Sequence, residues 1–161
     1  MIHVRNWWIV PFTVICALMF SQLPIPQAVT PAIPTWTTLV VIYWATFLTP
    51  HFGVISGFII GILLDVTDGV LLGQNAFVLT IIVFIVRHQA KRIATAPMVQ
   101  QVFLVAMFEG VRLLLLLAVN FFLNRRPVDF STYFLSCFTT AIIWPWVYFT
   151  FRQLQRRFDL R

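Results

Sequence analysis

The chain has 161 residues, of which 60% are hydrophobic and 10% charged, and its formal net charge is +6. Its mean hydropathy of +0.91 is above that of ordinary soluble domains, and apolar segments fill almost the whole length. Composition therefore excludes an ordinary soluble protein and predicts one integral membrane domain over residues 1–161.

Six apolar stretches, separated by prolines, glycines and charges, predict an all-α polytopic membrane protein with six transmembrane helices in one compact bundle. The predicted spans are 7–23, 32–49, 54–72, 74–87, 98–123 and 131–151. No small-x-small cleavage site follows the first apolar run, so we expect an uncleaved first span and not a signal peptide.

Orientation follows from the cations, because short loops rich in Lys and Arg stay in the cytoplasm. With six spans and a cytoplasmic amino terminus, Arg125 and Arg126 face outward and eight cations face inward. These eight are Arg5, Arg87, Lys91, Arg92, Arg152, Arg156, Arg157 and Arg161. We therefore predict a multi-pass protein of the bacterial cytoplasmic (inner) membrane with both termini cytoplasmic. The net charge is then a topology signal, and no folded basic surface predicts nucleic-acid binding.

The carboxy-terminal sequence FRQLQRRFDLR forms a basic tail that includes Arg152, Arg156 and Arg157. It could lie on anionic lipid headgroups, with Phe158 and Leu160 as apolar anchors. We favour the simpler reading, in which these cations only end the last span on the cytoplasmic side.

Small residues form a stripe on the third predicted helix. Gly53, Gly57, Gly61, Asp65 and Gly69 recur every four residues, which places them on one slowly drifting face. A stripe without side chains predicts close packing by another helix, and Asp65 on its extension should face protein. Counting about 1.5 Å per residue, Asp65 lies roughly 17 Å into a core about 30 Å thick, where an aspartate should be neutral or paired.

The fifth predicted helix carries Glu109 and Arg112 at a depth that matches Asp65, while Asp68 lies closer to the outer interface. We hypothesise that Arg112 is shared between Glu109, three residues earlier, and Asp65 across a helix interface. Buried acids can mark a proton or ion pathway, or they can fix helix register. We favour register, because no chain of further ionisable residues continues to other depths.

The last span contains the sequence WPW, formed by Trp144, Pro145 and Trp146, where the proline removes a helical hydrogen bond. A kink between two large rings would either shape a groove for another helix or fill one. Elsewhere the chain lacks a nucleophile elbow, a His/Cys ligand cluster and a phosphate-binding glycine loop. We therefore predict no enzymatic activity, no cofactor and no metal.

Three blocks in order resemble the rod shape-determining membrane protein family MreD: PTWTTLVVIYW followed by TPH, then GFIIGILLDVTDGVLLGQNA, then IIWPWVYFTFRQLQRRF. The resemblance covers nearly the full length, and Phe58, Gly61, Asp65 and Gly73 carry its best signature. Asp68, Glu109 and Arg112 are not assigned to the family pattern.

The resemblance implies a non-enzymatic scaffold subunit of the bacterial elongation machinery. Such proteins bind the single-span periplasmic coiled-coil protein MreC. They help to join actin-like MreB filaments to a RodA-type glycosyltransferase and a penicillin-binding transpeptidase. The family is also similar in fold to the six-helix substrate-binding components of energy-coupling-factor vitamin transporters.

That fold similarity supplies the rival function, a vitamin-binding transporter subunit. Such components present Ala-x-x-x-Ala on the first helix, whereas PFTVICALMF offers only Ala17. The loop PIPQAVTPAIPT also lacks charges to hold a polar vitamin. A proton-conducting subunit would depend only on Asp65, Glu109 and Arg112. We therefore favour the scaffold.

In a scaffold, we expect the membrane helix of MreC to bind beside the Gly57/Gly61 face or beside WPW. A bulky residue at Gly61 should then disturb assembly more than one at a lipid-facing position such as Leu116.

Overall fold

Six α-helices make up the described part of the chain, which a computed structural model defines over residues 8–22, 34–48, 52–123 and 130–157. In chain order they are α1 (Ile9–Ser21), α2 (Trp36–Phe47), α3 (Val54–Asp68), α4 (Gln74–Thr95), α5 (Met98–Phe122) and α6 (Phe130–Arg157). The all-helical class and the number of helices predicted from the sequence are confirmed within these ranges.

Consecutive helices run antiparallel, as contacts between their side chains show. The Ser21 hydroxyl at the end of α1 lies 3.1 Å from that of Thr37 at the start of α2. Further along, Cys137 Sγ on α6 donates to the Ala106 carbonyl on α5 at 3.3 Å. Just before α2, the Thr35 backbone N–H donates to Thr140 Oγ1 on α6 at 3.2 Å, and later in both helices the Tyr43 hydroxyl donates to Gln155 Oε1 at 3.0 Å. Helices α2 and α6 therefore run in the same direction.

Helix α2 forms the centre of the bundle. Its residues from Leu39 to Ala45 are all at most 5% exposed, because α1, α4 and α6 pack around it. A helix that is apolar on every side is stable only when every side is covered. Its polar atoms have partners: Trp44 Nε1 donates to Thr13 Oγ1 at 3.0 Å, and the Thr46 hydroxyl donates to the Ile42 carbonyl.

Four helix boundaries differ from the predicted ones by four or more residues. Helix α2 begins at Trp36 and not at residue 32, and α6 continues to Arg157 and not to residue 151. Helix α3 ends at Asp68 and not at residue 72, because Gly69 adopts a left-handed conformation (φ 63°) that stops the helix. Helix α4 continues to Thr95 and not to residue 87, since its charged last turns contain no helix breaker before Pro97. Apolar length marks a membrane span, whereas glycine and proline mark where a helix ends.

Among the described helices, α5 with 25 residues is the one that is long and apolar enough by itself to cross a bilayer, while α1 and α2 are shorter apolar helices. A crossing helix needs about 20 residues. Six membrane spans therefore stay a prediction, together with the orientation, for which Arg5, Arg125, Arg126 and Arg161 lie outside the described residues.

Apart from Arg112, which is buried within α5, the described cations gather at one end of the bundle, where α4 and α6 terminate and α3 and α5 begin. We call this the cationic end; its described members are Arg87, Lys91, Arg92, Arg152, Arg156 and Arg157.

Candidate functional site

Asp65 caps the beginning of α4. Its carboxylate accepts backbone N–H bonds from Gly73 at 2.8 Å, from Asn75 at 2.7 Å and from Ala76 at 3.3 Å. The side chain is fully buried. The first N–H groups of a helix lack intrahelical acceptors and carry partial positive charge, so a carboxylate there satisfies them and is itself stabilised. Both oxygens of Asp65 are therefore occupied without any cation.

Three glycines let Asp65 reach this position. Gly69 and Gly73 take left-handed conformations, φ 63° and 102°, which close the turn between α3 and α4. Gly61 lies one turn before Asp65, and a Cβ there would overlap Ala76 Cα and stand 2.6 Å from Ala76 N. Contact between the α3 and α4 backbones at Gly61 thus brings the α4 amides within reach of the carboxylate.

Glu109 and Arg112 form the second buried polar group. Arg112 Nε and Nη2 both donate to Glu109 Oε1, at 2.8 and 2.6 Å. The Thr35 hydroxyl donates to the same oxygen at 3.0 Å and lies 3.3 Å from the Thr140 hydroxyl. Glu109 is fully buried and Arg112 is 8% exposed. The pair therefore links α5 to the first residue before α2 and, through the threonines, to α6.

The hypothesis that Arg112 bridges Glu109 and Asp65 is half right. The pairing with Glu109 at i,i+3 is confirmed, but the Asp65 oxygens bind α4 amides, and in the described part of the chain Arg112 forms no ion pair with Asp65. Asp68 is exposed and accepts a bond from Gln22 Nε2 at 2.7 Å. Each of the three described acids thus has its own structural partner, and among the described residues no line of acids crosses the bundle.

The stripe of small residues is occupied by α4 of the same chain. A Cβ at Gly57 would stand 2.7 Å from Val83 Cγ2 and 3.3 Å from the Leu79 carbonyl oxygen. Gly57 and Gly61 are both buried. The close helix packing expected from the stripe is therefore present, but the surface is filled inside the bundle and leaves no groove there for a partner.

Replacing Gly61 with alanine should lower the free energy of unfolding by up to about 3 kcal/mol, because the new methyl group meets backbone that cannot rotate away. Gly110→Ala is the matched control, since a Cβ there meets nothing within 4 Å. A mid-helix alanine in open space should stabilise by about 0.5–1 kcal/mol. Denaturant titration of the purified protein in micelles measures both, and equal shifts for the two variants would contradict the close α3–α4 contact.

The WPW sequence has two different environments. Trp144 is fully buried and its Nε1 donates to Gln101 Oε1 at 3.3 Å, whereas Trp146 is 66% exposed. Pro145 lies within α6. Trp146 lines an apolar groove of about 250 Å³ that runs over α2 between α1 and α6. We call it the α2 groove; its lining includes Cys16, Ala17, Val40, Trp146 and Thr150.

Cations of the basic tail lie at the end of α6. The Arg152 guanidinium stacks over the Tyr148 ring at 5.2 Å, and Tyr43 donates to Gln155 Oε1 at 3.0 Å. Arg156 and Arg157 are exposed in the last turn of the helix, where cations interact favourably with the helix dipole. The predicted anchors Phe158 and Leu160 lie outside the described residues.

Sequence reasoning missed the Asp65 cap, although a signal was present. The segment LLDVTDGVLLGQNA places an aspartate before two glycines that frame a turn and precede an apolar helical run. Reading Gly69 as a helix terminator would have ended α3 at Asp68 and turned the chain back onto Asp65. Leu116, predicted to face lipid, is also misplaced: it is 7% exposed, whereas Leu114 is 65% exposed.

The sequence of this chain is similar to those of known proteins. A profile of the rod shape-determining protein MreD family matches residues 1–154. The chain belongs to the MreD family. It is 24% identical over 157 residues to the rod shape-determining protein MreD of Haemophilus influenzae, covering 98% of this chain and 96% of that protein. No solved structure matches.

Membership in the MreD family identifies this chain as a rod shape-determining protein, and the family is one of membrane proteins. Since no solved structure matches, the similarity in fold to energy-coupling-factor components stays a prediction. The described residues contain no group of three or more His, Cys, Asp or Glu side chains placed to hold a metal ion.

Proposed function

We propose that this chain is a non-catalytic scaffold subunit of the bacterial rod complex. In this role it binds MreC within the inner membrane and links cytoskeletal filaments to the enzymes of lateral peptidoglycan synthesis. Six spans place both termini and the cationic end in the cytoplasm, as the distribution of Lys and Arg favours. Family membership supports the role in cell shape, and the α2 groove supports the binding of a membrane helix.

The α2 groove carries the proposal because of what lines it. Val40 of α2 lies on its floor, and the small side chains of Cys16 and Ala17 on the α1 wall let a helix approach closely. Trp146 stands at the side and is 66% exposed, so a large aromatic surface is available for packing. Helices in lipid associate through close packing and a few polar contacts, and Thr13 and Thr150 also line this groove. Their hydroxyls donate to the Val10 and Trp146 carbonyls.

Interior polar groups support a scaffold over a carrier. The carboxylate of Asp65 accepts hydrogen bonds from backbone amides, and Glu109 Oε1 accepts them from Arg112 and Thr35. A proton-conducting subunit needs an acid that can exchange its proton with successive partners, whereas these two acids hold helices together. Three cavities among the described residues, of about 520, 370 and 250 Å³, are apolar grooves at the bundle surface, unlike a polar pocket for a vitamin.

Photo-crosslinking in living cells tests the groove. A photoreactive amino acid at Thr150, which lines the groove, should capture the single-span MreC protein. The same probe at Leu114, which is 65% exposed on α5, is the matched control and should capture lipid or nothing. Equal capture of MreC at both positions, or capture only at Leu114, would contradict the α2 groove as the binding surface.

A further inference from the structure

A second apolar groove lies between α1 and α3. Helix α1 packs mainly on α2 and touches α3 at few positions, which leaves a cavity of about 520 Å³ between the two helices. We call it the α1–α3 groove; its lining includes Trp8, Val14, Ile15, Ser56, Ile59 and Leu63. Neither the role in cell shape nor the proposed binding of MreC in the α2 groove uses this second groove.

The α1–α3 groove has the length of one membrane leaflet. It begins at Phe52, two residues before α3, and ends at Leu63. The part along α3, from Val54 to Leu63, is roughly 14 Å long at about 1.5 Å per residue. Half of a hydrocarbon core about 30 Å thick has nearly the same length. Since α3 begins at the cationic end, the groove starts there, where Trp8 is 83% exposed, and runs towards mid-bundle.

Positive charge lies at the end of the bundle where this groove begins, and the described lining of the groove itself holds no cation. The Arg87 guanidinium lies against the start of α3, with Nη1 3.3 Å from the place a Cβ of Gly53 would take. Lys91 follows one helical turn later on the same face of α4 and is exposed. The described acids Asp65, Asp68 and Glu109 lie away from this end, and in the described ranges Arg87 forms no ion pair.

We propose that the α1–α3 groove binds an anionic phospholipid of the surrounding leaflet. One acyl chain lies along the apolar walls, and the phosphate lies at the start of the groove against Arg87, near Lys91 and the Ser56 hydroxyl. The apolar groove matches the acyl chain of such a lipid, and the Arg87 guanidinium at its start matches the charge of the phosphate. A zwitterionic headgroup would bring its own cation towards Arg87 and Lys91 and should bind less well.

Native mass spectrometry of the full chain in detergent tests the proposal, with phosphatidylglycerol and phosphatidylcholine of identical acyl chains as probes. A favourable contact of about 1 kcal/mol per cation predicts roughly fivefold or greater preference for phosphatidylglycerol in the native chain. Arg87→Gln should reduce that preference at least to about half. Arg92→Gln, an exposed cation on another face of α4, should leave it unchanged.

A second variant tests the acyl-chain part. Ile59 lines the groove and is 53% exposed, so Ile59→Trp fills the channel without entering the core. It should weaken binding of both lipids, which a change at the headgroup position alone would not do. Circular dichroism checks that the variants stay helical, and Lys91→Gln, at an exposed position, replaces Arg87→Gln if the latter does not fold. Equal binding of the two lipids to the native chain, or equal effects of the Arg87 and Arg92 variants, would overturn the proposal.

Discussion

Asp65→Ala should lower the free energy of unfolding by about 4 kcal/mol, because it leaves the amides of Gly73, Asn75 and Ala76 without acceptors in a fully buried place. Bonds to a charged acceptor contribute about 1.5–3 kcal/mol each, and the burial of Asp65 keeps bulk solvent from replacing them. Asp65→Asn should fall between alanine and the native residue, since an amide offers one oxygen where the carboxylate offers two. Denaturant titration in micelles measures both.

Asp68→Ala is the matched control for that experiment. Asp68 lies on the same helix three residues later, but it is exposed and accepts one bond, from Gln22. Its loss should change the free energy of unfolding by less than about 1 kcal/mol. If the two alanine variants were equally stable, the Asp65 carboxylate would not be the cap of α4.

Arg112→Met alone should destabilise the bundle by about 3–5 kcal/mol, because it leaves the fully buried Glu109 carboxylate without its cation. The double variant Glu109→Leu/Arg112→Met should recover most of that loss, since replacing a whole buried ion pair with apolar residues is often neutral or stabilising. Thr35 and Thr140 can still bond to each other, because their hydroxyls lie 3.3 Å apart.

The double variant also separates a structural pair from an ion pathway. If Glu109 and Arg112 only hold α5 to its neighbours, cells that carry the refolded double variant should keep a rod shape. Rounded cells together with normal stability and normal membrane levels would show that the pair has a role beyond packing. Complementation of a strain lacking the gene, scored by microscopy, gives this result.

The sequence predicted the number of helices because hydrophobic length and proline position act locally. The same local rules predicted the i,i+3 pairing of Glu109 with Arg112 and the close packing on Gly57 and Gly61. These features depend only on the residue types along one helix, and helical periodicity fixes which of them share a face.

Features that depend on a chain reversal were not predictable in the same way. From the sequence, Asp65 was paired with Arg112, a cation at the same predicted depth. Counting residues along each helix compares charged side chains and overlooks backbone amides. The left-handed Gly69 and Gly73 bring α4 back against Asp65 and supply N–H donors instead. The sequence likewise did not show which helix packs on the stripe of small residues, because periodicity identifies a packing face but not the helix that covers it.

A scaffold holds partner proteins in the membrane, whereas a carrier holds a small substrate. Co-purification of the tagged native chain from detergent-solubilised membranes, with mass spectrometric identification of bound proteins and small molecules, tests most directly which of the two this chain is. We expect MreC and wall-synthesis enzymes, with phospholipid as the only small molecule in stoichiometric amount. Recovery of a transporter ATPase module together with a bound vitamin would contradict the account and make the bundle a substrate carrier.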